Sequence, residues 1–224
     1  MSSPCLIQEL TIEEVADWLE RLRDLYDRAY YSSHMFEDVQ KDIEKKPELF
    51  RMFIALDRDK AVGARAIELK TDMQTTYPGL DYLGLEPVWG KRFAVLPEYR
   101  GLGIGKQILE TSNKYCFSEL NLKALFGSSA EIGALSMYGR AGALYLKETI
   151  TSYSHKNTPE DNLLYFKEFI ANPFFRNYRL PNHSKQDIRF AYAADENTRT
   201  LFKENGYITH ADLLELTNCT KSES

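Results

Sequence analysis

The chain has 224 residues, and its 33 acidic residues outnumber the 28 basic ones, which gives a formal net charge of −5. A chain of this length can bury a self-sufficient core, and the acidic surplus argues against a diffuse nucleic-acid interface. The three cysteines are scattered without metal-ligand spacing, which favours a reducing compartment over a disulfide framework. No apolar run approaches the roughly 18 residues that span a bilayer. We therefore expect a soluble, cytoplasmic protein that holds no metal and binds neither nucleic acid nor membrane.

Five elements are predicted in the first third of the chain. Thr11 and Glu14 form a capping box, and apolar residues then recur at three- and four-residue spacing as far as Tyr30. Further on, two strand-like runs are joined by a polar turn, which predicts a β-hairpin. In chain order the predicted elements are a strand over 6–10, helices over 11–30 and 35–45, and strands over 51–56 and 61–69.

A strand predicted over 89–96 leads into a run of alternating glycines, and a helix is predicted from Gly103 to about Leu120. Strand, glycine loop and helix in this order form an anion site, because glycines let backbone N–H groups approach a ligand and the helix N-terminus is electropositive. A P-loop would need Ser or Thr where this chain has Gln107. A dinucleotide fingerprint would need a different glycine spacing. We therefore expect another phosphate-bearing ligand, or a glycine turn that only packs a helix on a sheet.

The residues around the glycines narrow the choice of phosphate-bearing ligand. They form the pattern Arg-x-x-Gly-x-Gly from Arg100 to Gly105, preceded by Val95-x-Pro97-x-Tyr99. It resembles the pyrophosphate-binding signature of the GNAT superfamily of N-acetyltransferases, whose shared ligand is acetyl-coenzyme A. The resemblance spans about residues 5–154. Coenzyme binding by this loop is what the resemblance implies.

A second family motif follows the predicted strand over 122–127. Ser128 and Glu131 read as a capping box, and a helix with its C-terminal turn is predicted beyond them as far as Ala143. The segment is similar to a family motif that ends in Tyr-x-Lys-x-Gly-Phe, but Glu131 replaces the family's Asn, Arg140 its Lys and Ala143 its Phe. The Asn normally contacts the pantetheine arm. A weaker match to the same motif at 195–207 is its alternative position. We favour the first copy, at 128–143.

The resemblance implies the acyl-CoA N-acyltransferase fold, a mixed α/β fold. Its central sheet is mostly antiparallel, with two splayed parallel strands, and is flanked by helices. Residues 1–154 would form the acetyltransferase core. Residues 155–224 are expected to be an extension that completes the same domain, with a helix over 159–171, a strand over 188–192 and a helix that Asp195 caps.

The resemblance also implies roles for individual residues. Backbone N–H groups of the glycine loop would hold the pyrophosphate, and the preceding strand would pair with pantetheine and polarise the thioester carbonyl. Tyr138 would protonate the departing thiolate. The base is open among Glu86, Glu131, Asp81 and a chain of waters. The implied coenzyme-binding residues are Phe93, Ala94, Val95, Arg100, Gly101, Leu102, Gly103, Ile104, Gly105, Lys106 and Ser129.

The acceptor side is expected around the strand that feeds the loop. Many relatives that acetylate small amines carry a carboxylate four residues before the Val, where this chain has Lys91, followed by Arg92. Such a cationic pair argues against a polyamine and favours an acceptor that carries a carboxylate or a phosphate. Tyr82 and Trp89 are expected to form an aromatic wall. For each of these residues, a solvent-facing or core role is the alternative.

The function implied is direct transfer of an acetyl group from acetyl-CoA to a primary amine of a small molecule or peptide. A second hypothesis is a catalytically weak acyl-CoA-binding sensor or interaction module of the same fold. A third is an unrelated phosphate-binding protein. The expected oligomeric state is a monomer or a homodimer.

Overall fold

The computed structural model describes residues 5–30, 34–45, 47–70, 83–129, 131–151, 167 and 188–215. The chain divides into two compact units, Met1–Leu122 and Lys123–Ser224. We call them the N-terminal and the C-terminal unit. The predicted division into 1–154 and 155–224 stays a prediction.

The N-terminal unit contains four antiparallel strands in sequential order. The predicted hairpin is present, with Met52 opposite Ala66 and Asp57 opposite Lys60. Its strands are β1 Leu6–Leu10, β2 Phe50–Asp57, β3 Lys60–Glu68 and β4 Trp89–Val95, and its helices are α1 Ile12–Tyr30, α2 His34–Lys45 and α3 Ile104–Lys114.

Local signals set the start of α1, and tertiary packing sets the core. The capping box forms: the Thr11 N–H donates to the Glu14 carboxylate at 2.8 Å, and the Glu14 N–H donates to the Thr11 hydroxyl at 3.3 Å. Residues Ala61–Ile67 of β3 are buried without alternation, so both faces of this sheet are covered. Helix α3 covers one of them, since a Cβ at Gly63 would lie 2.7 Å from the Ile108 side chain.

The predicted helix after the glycine loop changes its hydrogen bonding near its end. Helix α3 stops at Lys114, and a π-helical turn, Tyr115–Glu119, continues the path almost to the predicted end at Leu120. No helix in the described ranges is both long enough and apolar enough to cross a membrane.

The C-terminal unit contains a second group of antiparallel strands, in the spatial order β5-β7-β6-β8. Strand β7 comes from the C-terminal extension and pairs with both β5 and β6, which places that part of the extension inside the sheet. Its strands are β5 Ala124–Ser129, β6 Leu144–Leu146, β7 Ile188–Ala193 and β8 Tyr207–Ile208, and its helices are α4 Ile132–Arg140, α5 Lys147–Thr151, α6 Glu196–Glu204 and α7 His210–Glu215.

One capping prediction in this unit is confirmed and one is wrong. The Asp195 carboxylate accepts from the Thr198 N–H at 2.8 Å, as predicted for the cap of α6. Ser128 does not cap α4, because strand pairing with β7 draws Ser128 and Ser129 into β5. The Glu131 backbone occupies the N-cap position instead, and no side chain caps it. The helix predicted over 159–171 lies outside the described residues except at 167.

Candidate functional site

The glycine loop is a tight connection between β4 and α3. The Leu96 N–H continues the ladder with β3 by donating to the Val62 carbonyl oxygen at 2.9 Å. One 3₁₀ turn, Pro97–Tyr99, follows. Gly101 and Gly103 then adopt φ values of +82° and +83°. Two left-handed residues so close together require glycine, because a Cβ at such angles collides with the backbone.

This loop leaves a row of backbone donors unused. Within the described ranges, no N–H group from Gly101 to Lys106 has a hydrogen-bond acceptor of normal geometry, and the first to find one is Gln107, which donates to Gly103 at 3.0 Å. Gly103 is the N-cap of an eleven-residue helix and supplies no capping side chain. Unpaired donors and the positive end of the helix dipole thus coincide, which is the physical basis of an anion site.

The side chains around the loop divide into anchors and exposed groups. Ile104 is buried and anchors the first turn of α3, whereas Leu102 stays 54% exposed between the two left-handed glycines. Lys106 pairs with Glu110 across one helical turn at 3.6 Å, and both side chains are well exposed. Arg100 turns back from the loop and donates to the Val95 carbonyl oxygen at 3.1 Å. The Arg100 side chain therefore braces the strand end, and the donors left over for a ligand are backbone groups.

Strand β4 carries a bulge just before the loop. Ala64 opposes Ala94 and Ala66 opposes Lys91, so Arg65 alone faces both Arg92 and Phe93. Arg92 has φ +52°. The two carbonyl oxygens of the bulge are bound from α1: the Tyr26 hydroxyl donates to Arg92 at 2.6 Å, and the Tyr30 hydroxyl donates to Phe93. Sequence reasoning missed both tyrosines, because their partners lie more than sixty residues away.

Lys91 and Arg92, the predicted acceptor contacts, both have carboxylate partners within the chain. Lys91 lies 3.0 Å from Asp42 and 2.7 Å from Glu68, and its ammonium sits 4.9 Å from the centre of the Phe50 ring. Arg92 binds Asp42 through Nε and Nη2, both at 3.0 Å. Asp38 of α2 is a third, more distant carboxylate, 3.7 Å from Arg92. The predicted cationic pair is thus two cations among three carboxylates.

Arg65 is a buried cation of β3 that sequence reasoning did not select. Its side chain is 2% exposed, and Nη1 donates to the Ser112 hydroxyl at 2.6 Å and to the Asn113 side-chain oxygen at 2.7 Å. A Cβ at Gly90 would lie 2.5 Å from the Arg65 guanidinium. Gly90 therefore makes room for the guanidinium beside β4, next to the bulge.

Tyr138 lies on α4 of the C-terminal unit, where it is 5% exposed. Its ring packs against Phe190 of β7 with centroids 4.4 Å apart and 30° between the planes. The Tyr192 hydroxyl donates to the Tyr138 carbonyl oxygen at 3.3 Å. A Cβ on the next residue, Gly139, would lie 2.6 Å from the His210 ring. The described contacts thus fix both the ring and the backbone of Tyr138.

The other predicted site residues that the structure describes differ in burial. Glu131 is half-buried, and its N–H donates to the half-buried Ser129 hydroxyl at 3.0 Å. Glu86 is exposed, and Trp89 is buried at 2% exposure in the core. Tyr82 and Asp81 lie outside the described residues. The roles proposed for these residues stay predictions.

Two further observations bear on ligands. Among the described residues, no three His, Cys, Asp or Glu side chains cluster in a way that could hold a metal ion. In that same part of the chain, Asp27 Oδ1 of α1 is a buried side-chain oxygen without a hydrogen-bond partner. Asp27 is a third α1 residue, after Tyr26 and Tyr30, that sequence reasoning did not select.

Comparison with known proteins identifies the family. The model of the acetyltransferase (GNAT) family matches residues 18–143, more than half of the chain, and this match includes the first copy of the second motif. No curated protein is detectably similar in sequence.

Solved structures share the fold at low sequence identity. A GNAT-family N-acetyltransferase from Escherichia coli (YhbS), solved in complex with CoA, is 16% identical over 92% of this chain and 87% of its own, with a TM-score of 0.54. A GNAT-family acetyltransferase from Staphylococcus aureus Mu50 is 16% identical over 85% of this chain and 100% of its own, with a TM-score of 0.51. A spermidine N-acetyltransferase (SpeG) chimera from Vibrio cholerae and hSSAT is 15% identical over 88% and 99%, with a TM-score of 0.51.

These similarities confirm the predicted fold class, a mixed α/β fold with a mostly antiparallel sheet flanked by helices. Together with the match over residues 18–143, they establish that the chain belongs to the GNAT acetyltransferase family.

Proposed function

We propose that this protein is an acetyl-CoA-dependent N-acetyltransferase that moves the acetyl group directly to a primary amine of a small molecule or peptide. The observation that carries the proposal is the row of N–H groups from Gly101 to Lys106, at the start of α3, for which the described part of the chain supplies no acceptor. A diphosphate ester brings negative charge and several acceptor oxygens to one place. Such a group matches consecutive backbone donors at a helix N-terminus better than a neutral ligand does.

The chemistry needs a docked thioester, a neutral amine and a proton for the departing thiolate. In the proposed reaction the amine nitrogen forms a bond to the thioester carbon, and the carbon–sulfur bond then breaks. The proton that the nitrogen loses passes to a general base, for which Glu86, Glu131 and a chain of waters stay the candidates. Backbone N–H groups of β4, next to the loop, are our proposed donors to the developing oxyanion. Tyr138 is our proposed acid for the thiolate. Its packing against Phe190 supports this role, because an immobilised side chain keeps a fixed geometry for proton transfer.

The proposed acceptor is defined by its chemical class, a primary amine. The ion pairs of Lys91 and Arg92 remove the basis for excluding a cationic acceptor, because these side chains already neutralise carboxylates of α2 and β3. The spermidine N-acetyltransferase among the structural neighbours is similar in fold alone. We therefore keep the acceptor as a primary amine of a small molecule or peptide.

The alternative of a coenzyme-binding sensor has one specific observation behind it. Glu131 stands where the family's pantetheine-contacting Asn is expected, and its backbone forms the N-cap of α4. A sensor would bind acetyl-CoA but turn it over slowly with any amine. Retention of Tyr138 favours the enzyme.

The test is calorimetric titration with acetyl-CoA and desulfo-CoA, with NADH as the control, followed by a screen of primary amines for thiol release. We expect micromolar binding of both CoA compounds, none of NADH, and thiol release with at least one amine class. Binding without release across small amines and peptides would select the sensor. Absence of CoA binding would contradict the proposal altogether.

A further inference from the structure

Two tyrosines on one face of α1 bind the bulge of β4. The Tyr26 hydroxyl donates to the Arg92 carbonyl oxygen at 2.6 Å, and the Tyr30 hydroxyl donates to the Phe93 carbonyl oxygen. The tyrosines are four residues apart, so they lie one above the other on the helix. Their rings stack with centroids 6.2 Å apart and 17° between the planes. In a regular strand successive carbonyls point in opposite directions, so two consecutive carbonyls bound from one helix are a property of the bulge.

The bulge is a conformation that needs such support. Arg92 lies in the left-handed region at φ +52°, which a residue with a long side chain rarely adopts. Its side chain is held by Asp42 of α2, and its carbonyl by Tyr26 of α1. Two helices therefore fix this one residue, one through the side chain and one through the backbone.

The Tyr26 hydroxyl is suited to permanent donation. Tyr26 is fully buried, and burial raises its pKa well above the ordinary value, so the hydroxyl keeps its proton. Replacing either tyrosine by Phe would keep most of the ring packing but would remove the hydrogen bond from its hydroxyl to the bulge. The effect of the hydroxyls can thus be separated from that of the rings.

Arg100 connects this arrangement to the glycine loop. Its guanidinium donates to the Val95 carbonyl oxygen at 3.1 Å and to the Ala29 carbonyl oxygen, near the end of α1, at 2.9 Å. The strand end and the start of the loop are therefore braced against the same turn of α1 that carries Tyr30.

We propose that Tyr26 and Tyr30 are positioning residues for the coenzyme, holding residues 92–95 of β4 in the bulged conformation in which that strand binds the pantetheine arm. The inference rests on the proposed function, because it assigns the coenzyme to β4. Neither tyrosine has to touch the coenzyme. Their hydroxyls act through the strand, so their loss should weaken coenzyme binding and leave acceptor binding unchanged.

The test uses Tyr26→Phe, Tyr30→Phe and the double variant, with Tyr115→Phe as the matched control. The Tyr115 hydroxyl accepts from Arg51 Nε at 3.3 Å and has no described contact with β4. Amide hydrogen exchange of residues 92–96 is measured without ligand, and the Kd for CoA is measured by calorimetry. We expect faster exchange confined to 92–96. We also expect CoA affinity to fall about 3- to 10-fold in each single variant, the usual weight of one hydrogen bond, and further in the double variant.

The control should change neither quantity, and the acceptor KM should stay constant in all variants. Faster exchange at 92–96 with unchanged CoA affinity would overturn the positioning role. Unchanged exchange, or faster exchange across the whole N-terminal unit, would overturn the local support of the bulge. Wild-type protein that fails to bind CoA would overturn the proposed function itself, and the exchange measurement would then still decide whether the hydroxyls hold the bulge.

Discussion

The two family motifs of this chain are built in opposite ways. In the N-terminal unit, the N–H groups from Gly101 to Lys106 find no acceptor among the described residues and lie at an exposed helix end. In the C-terminal unit, the motif around Tyr138 is closed: the ring packs on Phe190, and the carbonyl oxygen accepts from the Tyr192 hydroxyl and from the N–H groups of Ala141 and Ala143. Unsatisfied polar groups indicate a ligand more strongly than a matching sequence does, since satisfied groups are explained by the fold alone.

The largest effect is expected at Tyr138 in the closed motif. Tyr138→Phe should lower kcat about 10²- to 10⁴-fold, the usual weight of a general acid, with CoA affinity nearly unchanged. Steady-state kinetics and calorimetry on the same preparation measure both quantities. Unchanged turnover would mean that Tyr138 is only a core residue, and the contrast between the two motifs would then be complete.

At the open motif, Gly103→Val should weaken CoA binding about 100-fold or more. The valine would have to adopt φ +83°, so the loop would rearrange and lose charge-assisted hydrogen bonds of about 1.5–3 kcal/mol each. Gly206→Val is the matched control, because Gly206 has φ +84° and an equally open surrounding but lies in the other unit. Equal loss of CoA affinity in both variants would show a general effect of backbone strain and contradict the loop assignment.

Breaking the ion pairs of Lys91 should lower the stability of the folded protein. Lys91→Met should lower the free energy of unfolding by about 1–3 kcal/mol, because Glu68 and Asp42 each lose a partner in a largely buried site. Lys106→Met breaks an exposed pair and should cost less than about 0.5 kcal/mol. Urea denaturation of both variants gives the comparison. Unchanged stability in Lys91→Met, with a raised acceptor KM, would instead support the acceptor role first predicted for Lys91.

The C-terminal unit should lose stability in mild acid through His210. Burial, followed by the nearby Arg140 charge, lowers the pKa of this half-buried ring below 6.5. The unfolded state then binds a proton more readily than the folded state, so stability falls as the pH drops from 6.5 through the folded-state pKa. His210→Gln should show a smaller loss between about pH 7 and pH 5 in thermal melts. An identical pH dependence in the variant and the wild type would mean that a group other than His210 causes the loss of stability in acid.

The smallest effect is expected for Asp27→Asn. Replacing a carboxylate that has one buried, unpaired oxygen should raise the free energy of unfolding by up to about 1 kcal/mol. CoA affinity should not change, and urea denaturation with calorimetry checks both. A loss of stability would mean that the charge of Asp27 has a stabilising partner.

Beyond the fold class, local predictions succeeded best. The Thr11–Glu14 capping box and the Asp195 cap of α6 depend on residues three positions apart, so the sequence alone predicts them. The capping box predicted at Ser128 is wrong, because pairing with a strand some sixty residues away overrides a local signal.

The remaining parts of the site depend on contacts that no sequence spacing encodes. Asp42 neutralises Lys91 and Arg92 across about fifty residues, and Tyr26 reaches the β4 bulge across 66. The charge of the acceptor side and the support of the strand therefore became visible only in the folded chain.

The most direct test of coenzyme binding by the glycine loop is an NMR titration of the ¹⁵N-labelled protein with CoA. It follows the backbone amides of Gly101 to Lys106. If these N–H groups hold the pyrophosphate, their resonances should shift strongly and together, and dephosphorylated pantetheine, which lacks the pyrophosphate, should not shift them. If CoA binds while these amides stay unshifted, the phosphate site lies elsewhere, and the glycine loop does not hold the coenzyme.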